Sequence, residues 1–146
     1  MQLMAAEHPH DAAGVVLVDS LHADFDRRFS EVMGRRAAAK RAAALAHNSE
    51  GIGFADLLES DRQVEAAPRF PAIPLRVLVH SDSFDPGGRP VARLERLWRR
   101  LQRALGQLSP QGEVAIVPGT THRIAEDAPG AVVAAVMAEV SAIRDR

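Results

Sequence analysis

Three short apolar runs, separated by long stretches of helical character, constrain what this chain can fold into. The runs are residues 15–18, 73–79 and 113–117, and each is bounded by Gly, Pro, Asp or Ser within a few residues. Runs of this length between turn residues are typical of buried β-strands. Strands that alternate with helices pair in parallel. The sequence therefore predicts an α/β fold with about three parallel strands and flanking helices.

Two of the helical stretches have a clear apolar face. The first carries apolar residues at spacings of three and four, with four arginines mostly around the other face: Leu94, Leu97, Trp98, Leu101, Leu105 and Leu108. The second begins at about Pro129, a favourable residue for a first helical turn, and is apolar at Val132, Val133, Val136, Met137, Val140 and Ile143. Both helices are expected to lie on the sheet.

The interval 21–70 is too long for a simple crossover between two strands. It is rich in Ala and Arg from Gly34 to Ala46, contains turn residues at 48–53, and is helical in character again up to Pro68. An insertion of helices over the carboxyl ends of the strands would fit this pattern, and such insertions act as lids or pocket walls. The sequence predicts a single domain over residues 1–146, with a lid-like helical insertion at about 21–70.

Composition narrows the classes of function. The 18 basic and 19 acidic residues leave a formal charge of −1, and the basic residues are interleaved with apolar ones, so nucleic acid is not an expected partner. There is no cysteine, which removes disulfides, thiolate nucleophiles and cysteine-based zinc sites. No apolar stretch approaches 18 residues, and residues 1–11 lack the pattern of a signal peptide. A cytoplasmic protein that does not bind membranes is expected.

The order of these segments resembles the second half of an α/β-hydrolase. Residues 14–20 (GVVLVDS) resemble the strand that follows the nucleophile helix in that family, and residues 5–9 resemble the end of that helix. Residues 73–79 are similar to the next strand, and residues 98–110 to the helix after it. Residues 112–122, ending in Thr-Thr-His, resemble the last strand and its histidine loop. The resemblance covers almost the whole chain and implies a partial α/β-hydrolase fold.

In that family the catalytic triad runs in the order nucleophile, acid, histidine, and the serine lies in a G-x-S-x-G turn. This sequence contains no G-x-S-x-G. The resemblance therefore implies that the nucleophile, the oxyanion-hole loop and several strands belong to a segment on the N-terminal side. The chain by itself is expected to be inactive or nearly so.

Candidate catalytic residues lie where predicted strands end. His122 follows the third strand through Pro118 and Gly119, which places its imidazole at the carboxyl edge of the sheet, where open α/β folds bind ligands. The resemblance implies that His122 is the general base. The acid that orients it is Asp82 or Asp85 after the second strand, or Asp19 at the end of the first, and Asp24 lies just beyond. We rank Asp82 first, Asp19 second and Asp85 third.

The sequence gives little support for a serine nucleophile within the chain or for a metal site. Ser81 and Ser83 stand near His80, but neither is flanked by the small residues that a strained nucleophile turn requires. His8 with His10, and His22 with Asp24, form close pairs, yet no recognisable metal-ligand spacing is present. No cofactor and no metal are predicted.

Two hypotheses of function follow. The first is a hydrolase of a small-molecule ester or other acyl substrate that needs a complementing N-terminal half to supply its serine. The second is a non-catalytic binding or assembly module, because the first strand of such a half sheet has an open edge through which the chain would self-associate or recruit a partner.

Overall fold

A three-stranded parallel sheet forms the centre of the molecule. The computed structural model describes residues 1–46, 51–82 and 92–145. In it the strands are β1 (Val15–Val18), β2 (Leu75–His80) and β3 (Gly112–Val117), in the order β1-β2-β3. Val15 lies beside Leu75, and Leu75 beside Gly112, so all three strands begin level with one another. The predicted α/β class with three parallel strands is confirmed.

Helices fill the connections between the strands and cover both faces of the sheet. In chain order they are α1 (Gln2–Glu7), α2 (Phe25–Met33), α3 (Arg35–Leu45), α4 (Phe54–Ala66), α5 (Ala92–Gly106), α6 (Ile124–Asp127) and α7 (Pro129–Arg144). No helix in the described ranges is long and apolar enough to cross a membrane.

One face of the sheet is covered by large side chains from α2 and α5. The apolar side of α5 is buried as predicted, and its arginines lie on the solvent side. Phe25 of α2 is fully buried, and its ring meets Trp98 of α5 edge-on with the centroids 5.7 Å apart. Leu75 and Val77 of β2 are fully buried in the same cluster. This face holds the main hydrophobic core.

The interval 21–70 is helical as predicted, but its three helices differ in burial. Phe25 places α2 in the main core rather than in a detachable lid, because α2 packs against α5 over the sheet. The helices α3 and α4 have no buried residues. Arg41 of α3 pairs with the buried Asp26 of α2, with 2.6 Å between Nε and Oδ1, so α3 is attached to the core helix. A lid function for α3 and α4 stays a prediction.

The opposite face is covered by α7, but not through all the residues that the sequence suggested. The buried positions of α7 are Ala135 and Glu139, and Val132 is partly buried beside them. Val133, Val136 and Met137 were expected to face the sheet and are instead exposed. The ion pair between Glu139 and Arg76 of β2, with 3.1 Å between Oε1 and Nε, fixes the rotation of the helix and turns these residues outward.

Replacing the buried ring of α2 tests its place in the core. We expect Phe25→Ala to lower the free energy of unfolding by about 3–5 kcal/mol, because it leaves a cavity between α2 and α5. Urea denaturation measures this change. Ile116→Ala on β3, where the side chain is 52% exposed, should change stability by no more than about 0.5 kcal/mol. Similar small effects of both substitutions would contradict a core role for α2.

A carboxyl group on α4 makes stability depend on pH. Partial burial and the negative charges of Asp26, Glu65 and Asp24 raise the pKa of Asp61 to about 6. Because the pKa is higher in the folded state, ionised Asp61 opposes folding, and this loss grows as the pH rises from about 4 to about 6. At pH above 7 we expect Asp61→Asn to raise the free energy of unfolding by about 1 kcal/mol, and with it the melting temperature. The effect is small because Asp61 is only partly buried and solvent screens its charge.

The same Asp61→Asn protein should match the wild type in acid, where Asp61 is protonated in both the folded and unfolded states. Glu59→Gln is the control on the same helix, because Glu59 forms an exposed ion pair with Arg62 and such pairs contribute little. Equal stabilisation at all pH values would show that the ionisation of Asp61 is not the cause.

Candidate functional site

The carboxyl ends of the strands bring one acid and two histidines together. Asp19 directly follows β1, His80 is the last residue of β2, and His122 lies in the loop after β3. Parallel strands end at the same edge of a sheet, so residues distant in sequence meet there.

Asp19 is the hydrogen-bond acceptor for both imidazoles. Its Oδ2 lies 2.6 Å from Nδ1 of His122 and 2.7 Å from Nδ1 of His80. Its Oδ1 lies 2.8 Å from the same His80 nitrogen and accepts the backbone N–H of His80 at 3.1 Å. An ionised carboxylate only accepts hydrogen bonds, so both rings donate from Nδ1. Each neutral imidazole then has Nε2 as its basic nitrogen.

The backbone at Asp19 adopts a rare conformation that directs the carboxylate across the edge of the sheet. Its φ is +47°, and it is the one non-glycine residue with positive φ in the described part of the chain. Asp is among the residues that tolerate this left-handed region best. The Asp19 N–H still donates to the Leu78 carbonyl at 2.8 Å, so the turn begins from an intact strand.

A side chain from α5 supports this turn. Nε2 of Gln102, which is almost completely buried, donates to the Ser20 carbonyl at 2.9 Å. The backbone that carries Asp19 is thus held by β2 on one side and by α5 on the other. A buried polar residue with a hydrogen-bond partner of this kind fixes the geometry of its neighbour.

The environment of Asp19 keeps it ionised. Burial alone would raise its pKa, since a carboxylate loses its hydration there, but the hydrogen bonds from His122 and His80 outweigh this effect. The pKa of Asp19 therefore lies below its usual value. A charged, water-excluded acceptor is what an imidazole needs in order to be stabilised as a cation.

The two histidines occupy very different positions. His80 is buried, and its ring lies 5.5 Å from that of Trp98 between the ring centroids. The His122 side chain is 70% exposed. His80 can therefore hold Asp19 in place but is shielded from a substrate, whereas Nε2 of His122 belongs to a ring that solvent reaches.

The loop that carries His122 is fixed by hydrogen bonds on both sides. The Gly119 N–H donates to Oγ of Ser81 at 2.7 Å, and the buried Thr120 hydroxyl donates to the Val117 carbonyl at 2.7 Å. The Thr121 N–H donates to Oδ2 of Asp127, also at 2.7 Å. His122 is thus exposed on a loop with a defined shape.

The structure brings Asp19 into contact with His122 and shows no such contact for Asp82. Asp82 was placed first, but it is exposed, and its backbone N–H donates to the Thr120 carbonyl at 3.1 Å. Asp19, placed second, is the residue that contacts His122, because the left-handed turn directs its carboxylate toward β2. Asp24 pairs with Arg27 instead. Asp85 lies outside the described residues.

The described contacts of the candidate serines are structural and do not indicate a nucleophile. Oγ of Ser81 accepts the Gly119 N–H, which makes it a support for the histidine loop. The contact at Ser20 involves its carbonyl oxygen, which accepts the Gln102 bond. Ser83 lies outside the described residues.

Sequence reasoning missed His80 and Gln102 as parts of the site. A histidine at the end of an apolar strand, with Asp19 just after the end of another, was the available signal for His80. Gln102 gave a weaker signal, as a single uncharged polar residue on the apolar side of α5. Among the residues that the structure describes, no group of three or more carboxylates and histidines has the arrangement to hold a metal ion.

Neutralising Asp19 should weaken the fold near neutral pH. We expect Asp19→Asn to lower the free energy of unfolding by about 2 kcal/mol, because an amide replaces the charged acceptor of three hydrogen bonds. The pKa of Asp19 is lowered by folding, so its contribution is present above the ordinary value of 3.8 and is lost as the pH falls through the folded-state pKa. The difference from wild type should shrink in acid.

Chemical denaturation at several pH values measures this difference. Asp82→Asn is the matched control, because it makes the same chemical change at an exposed carboxylate two residues after β2, and it should alter stability by no more than about 0.5 kcal/mol. A loss from Asp19→Asn that does not depend on pH would contradict the role of its charge.

Comparison of the chain with protein-family models, with curated proteins and with solved structures gives no significant match to any of them.

Proposed function

We propose that this chain provides the acid and the general base of an acyl-bond hydrolase, with a small-molecule ester or related acyl compound as substrate. The single observation that carries the proposal is the 2.6 Å hydrogen bond between Asp19 and the exposed His122 at the carboxyl edge of the sheet. The resemblance of the segment order to the α/β-hydrolases is the second support.

The tautomer of His122 determines which of its nitrogens can act as the base. With Nδ1–H donated to Asp19, Nε2 of His122 accepts the proton of an attacking hydroxyl as that hydroxyl adds to the acyl carbon. The imidazolium that forms is stabilised by the buried carboxylate of Asp19, which remains ionised. The same Nε2 then returns the proton to the leaving oxygen or nitrogen when the tetrahedral intermediate collapses.

The nucleophile in this proposal comes from outside the 146 residues. The sequence contains no G-x-S-x-G, and Ser81 serves the histidine loop. A serine and an oxyanion hole supplied by a complementing segment would complete the site, and without them the dyad is expected to give little acceleration. A cytoplasmic location belongs to the same proposal, supported by the cysteine-free sequence.

A second candidate is a non-catalytic binding or assembly module. The observation that favours it is the structural use of Ser81, whose hydroxyl oxygen accepts the Gly119 N–H and so supports the histidine loop. The two candidates differ in whether His122 matters for function.

Hydrolysis of p-nitrophenyl butyrate tests the proposal. We compare the 146-residue chain with the product expressed from its natural gene together with the DNA upstream of Met1. The chain alone should show turnover near that of free imidazole, and the larger product should show enzymatic turnover. In that product His122→Ala should lower kcat by about 1,000-fold or more, and Asp19→Asn by about 100-fold or more.

Asp82→Asn is the control here as well and should leave kcat within about twofold of wild type, since this carboxylate is exposed. Turnover that survives His122→Ala would overturn the assignment of the base. Absence of turnover from both preparations, with both shown to be folded by circular dichroism, would favour the binding module.

A further inference from the structure

The solvent side of α5 carries a group of arginines that we call the arginine face: Arg93, Arg96, Arg99, Arg100 and Arg103. All of them are exposed, and none forms an ion pair with a carboxylate in the described ranges. The arginines of the neighbouring helices α2 and α3 differ, since Arg27, Arg28 and Arg41 each pair with Asp or Glu. The positive charge of α5 therefore lacks a counter-charge from the described chain.

The arginines of α5 alternate with apolar residues in the sequence, but the helix separates the two kinds in space. At about 100° per residue, the arginine face occupies an arc of about 120° around the helix axis. Glu95, the single acidic residue of α5, lies outside this arc, and the buried leucines lie on the other side of the helix. From Arg93 to Arg103 the face extends about 15 Å along the axis, at about 1.5 Å per residue.

A groove of about 630 Å³ follows the arginine face. All the arginines of the face line it, together with Leu97 of the same helix and Val32 of α2, so part of its wall is apolar. Glu31, the neighbour of Val32, bonds to Arg27 and Arg28 of its own helix at 3.4 and 3.1 Å. The groove is thus positively charged, partly apolar and open to an elongated ligand.

We propose that the arginine face binds an acidic segment of another polypeptide, which lies along α5 as a helix. Carboxylates at every third or fourth residue of a helix are about 5–6 Å apart, and most of the arginines follow one another at the same spacing. A guanidinium group can bind a carboxylate through two parallel hydrogen bonds, which adds specificity to the attraction of opposite charges. An elongated ligand fits because the arginines are distributed along the helix and do not converge on one point.

Nucleic acid and membranes match this surface less well. The chain has a net charge of −1, whereas nucleic-acid-binding domains usually carry an excess of basic residues. The large exposed apolar side chains of the described ranges include no aromatic ring on which a base could stack. The apolar side of α5 is buried, so the helix has no apolar face to insert into a bilayer.

Fluorescence anisotropy with a labelled peptide tests the proposal. The peptide consists of alanine with glutamate at every third or fourth position, and it is about 18 residues long because shorter isolated helices are marginal in water. We expect the 146-residue chain to bind it with a Kd of about 10–100 µM at low salt, and not to bind a peptide with glutamine in place of glutamate. About 1 M salt should weaken binding at least tenfold, because it screens exposed charges.

Substitutions at the centre of the face test its position. Arg96→Gln combined with Arg100→Gln should raise the Kd about tenfold, because two ion pairs are lost. Arg35→Gln combined with Arg36→Gln is the matched control, since it makes the same change of net charge at two exposed arginines of α3, and it should leave the Kd within about twofold. An equal loss in both proteins, each shown to be folded by circular dichroism, would overturn the proposal.

The same titration with other polyanions identifies the class of ligand. A DNA duplex of about 20 base pairs and vesicles of phosphatidylglycerol are the probes. Tighter binding of either probe than of the glutamate peptide, lost on Arg96→Gln with Arg100→Gln, would overturn the proposal in favour of that ligand. Failure to bind the glutamate peptide at concentrations up to about 1 mM would also overturn it. Binding is measured without catalysis, so the result does not depend on the roles proposed for Asp19 and His122.

Discussion

The carboxylate of Asp19 is the interaction on which the rest of the carboxyl edge depends. An ionised group removed from water is costly unless donors replace its hydration, and here three N–H groups from two other parts of the chain do so. These bonds connect the end of β1 to the end of β2 and to the loop after β3. The orientation of the His122 ring is therefore tied to how one buried charge is satisfied.

The two faces of the sheet are built differently, and this difference decides which helix is firmly held. On one face Phe25, Trp98 and the leucines of α5 supply large buried surfaces. On the other, α7 meets the sheet mainly through small residues such as Ala131 and Ala135, together with the Arg76–Glu139 pair. Small residues bury little apolar area, so α7 gains less from the sheet than α5 does.

Sequence reasoning finds the features that depend on patterns local in sequence. These are the three strands, the amphipathic helix α5 and the place of His122 in the loop after β3. Sequence reasoning does not find which aspartate contacts His122, because this depends on the left-handed backbone at Asp19, which spacing from the strand end cannot show. The same limit applies to α7, which has apolar residues on two sides. The sequence does not show which side faces the sheet, because this depends on the ion pair between Glu139 and Arg76. His80 was missed because a histidine that ends an apolar strand has the same local pattern whether or not it meets a carboxylate.

The separation in sequence of the paired residues has a consequence for how the molecule forms. Asp19 and His122 are 103 positions apart, and Asp19 and His80 are 61 apart. Contacts over such distances form late, since the loop between them must be ordered first. During synthesis on the ribosome, β1 cannot pair with β2 until β2 has emerged, and Asp19 waits longer still for its second histidine. The candidate site therefore cannot form until the chain has been synthesised as far as His122, long after β1 itself.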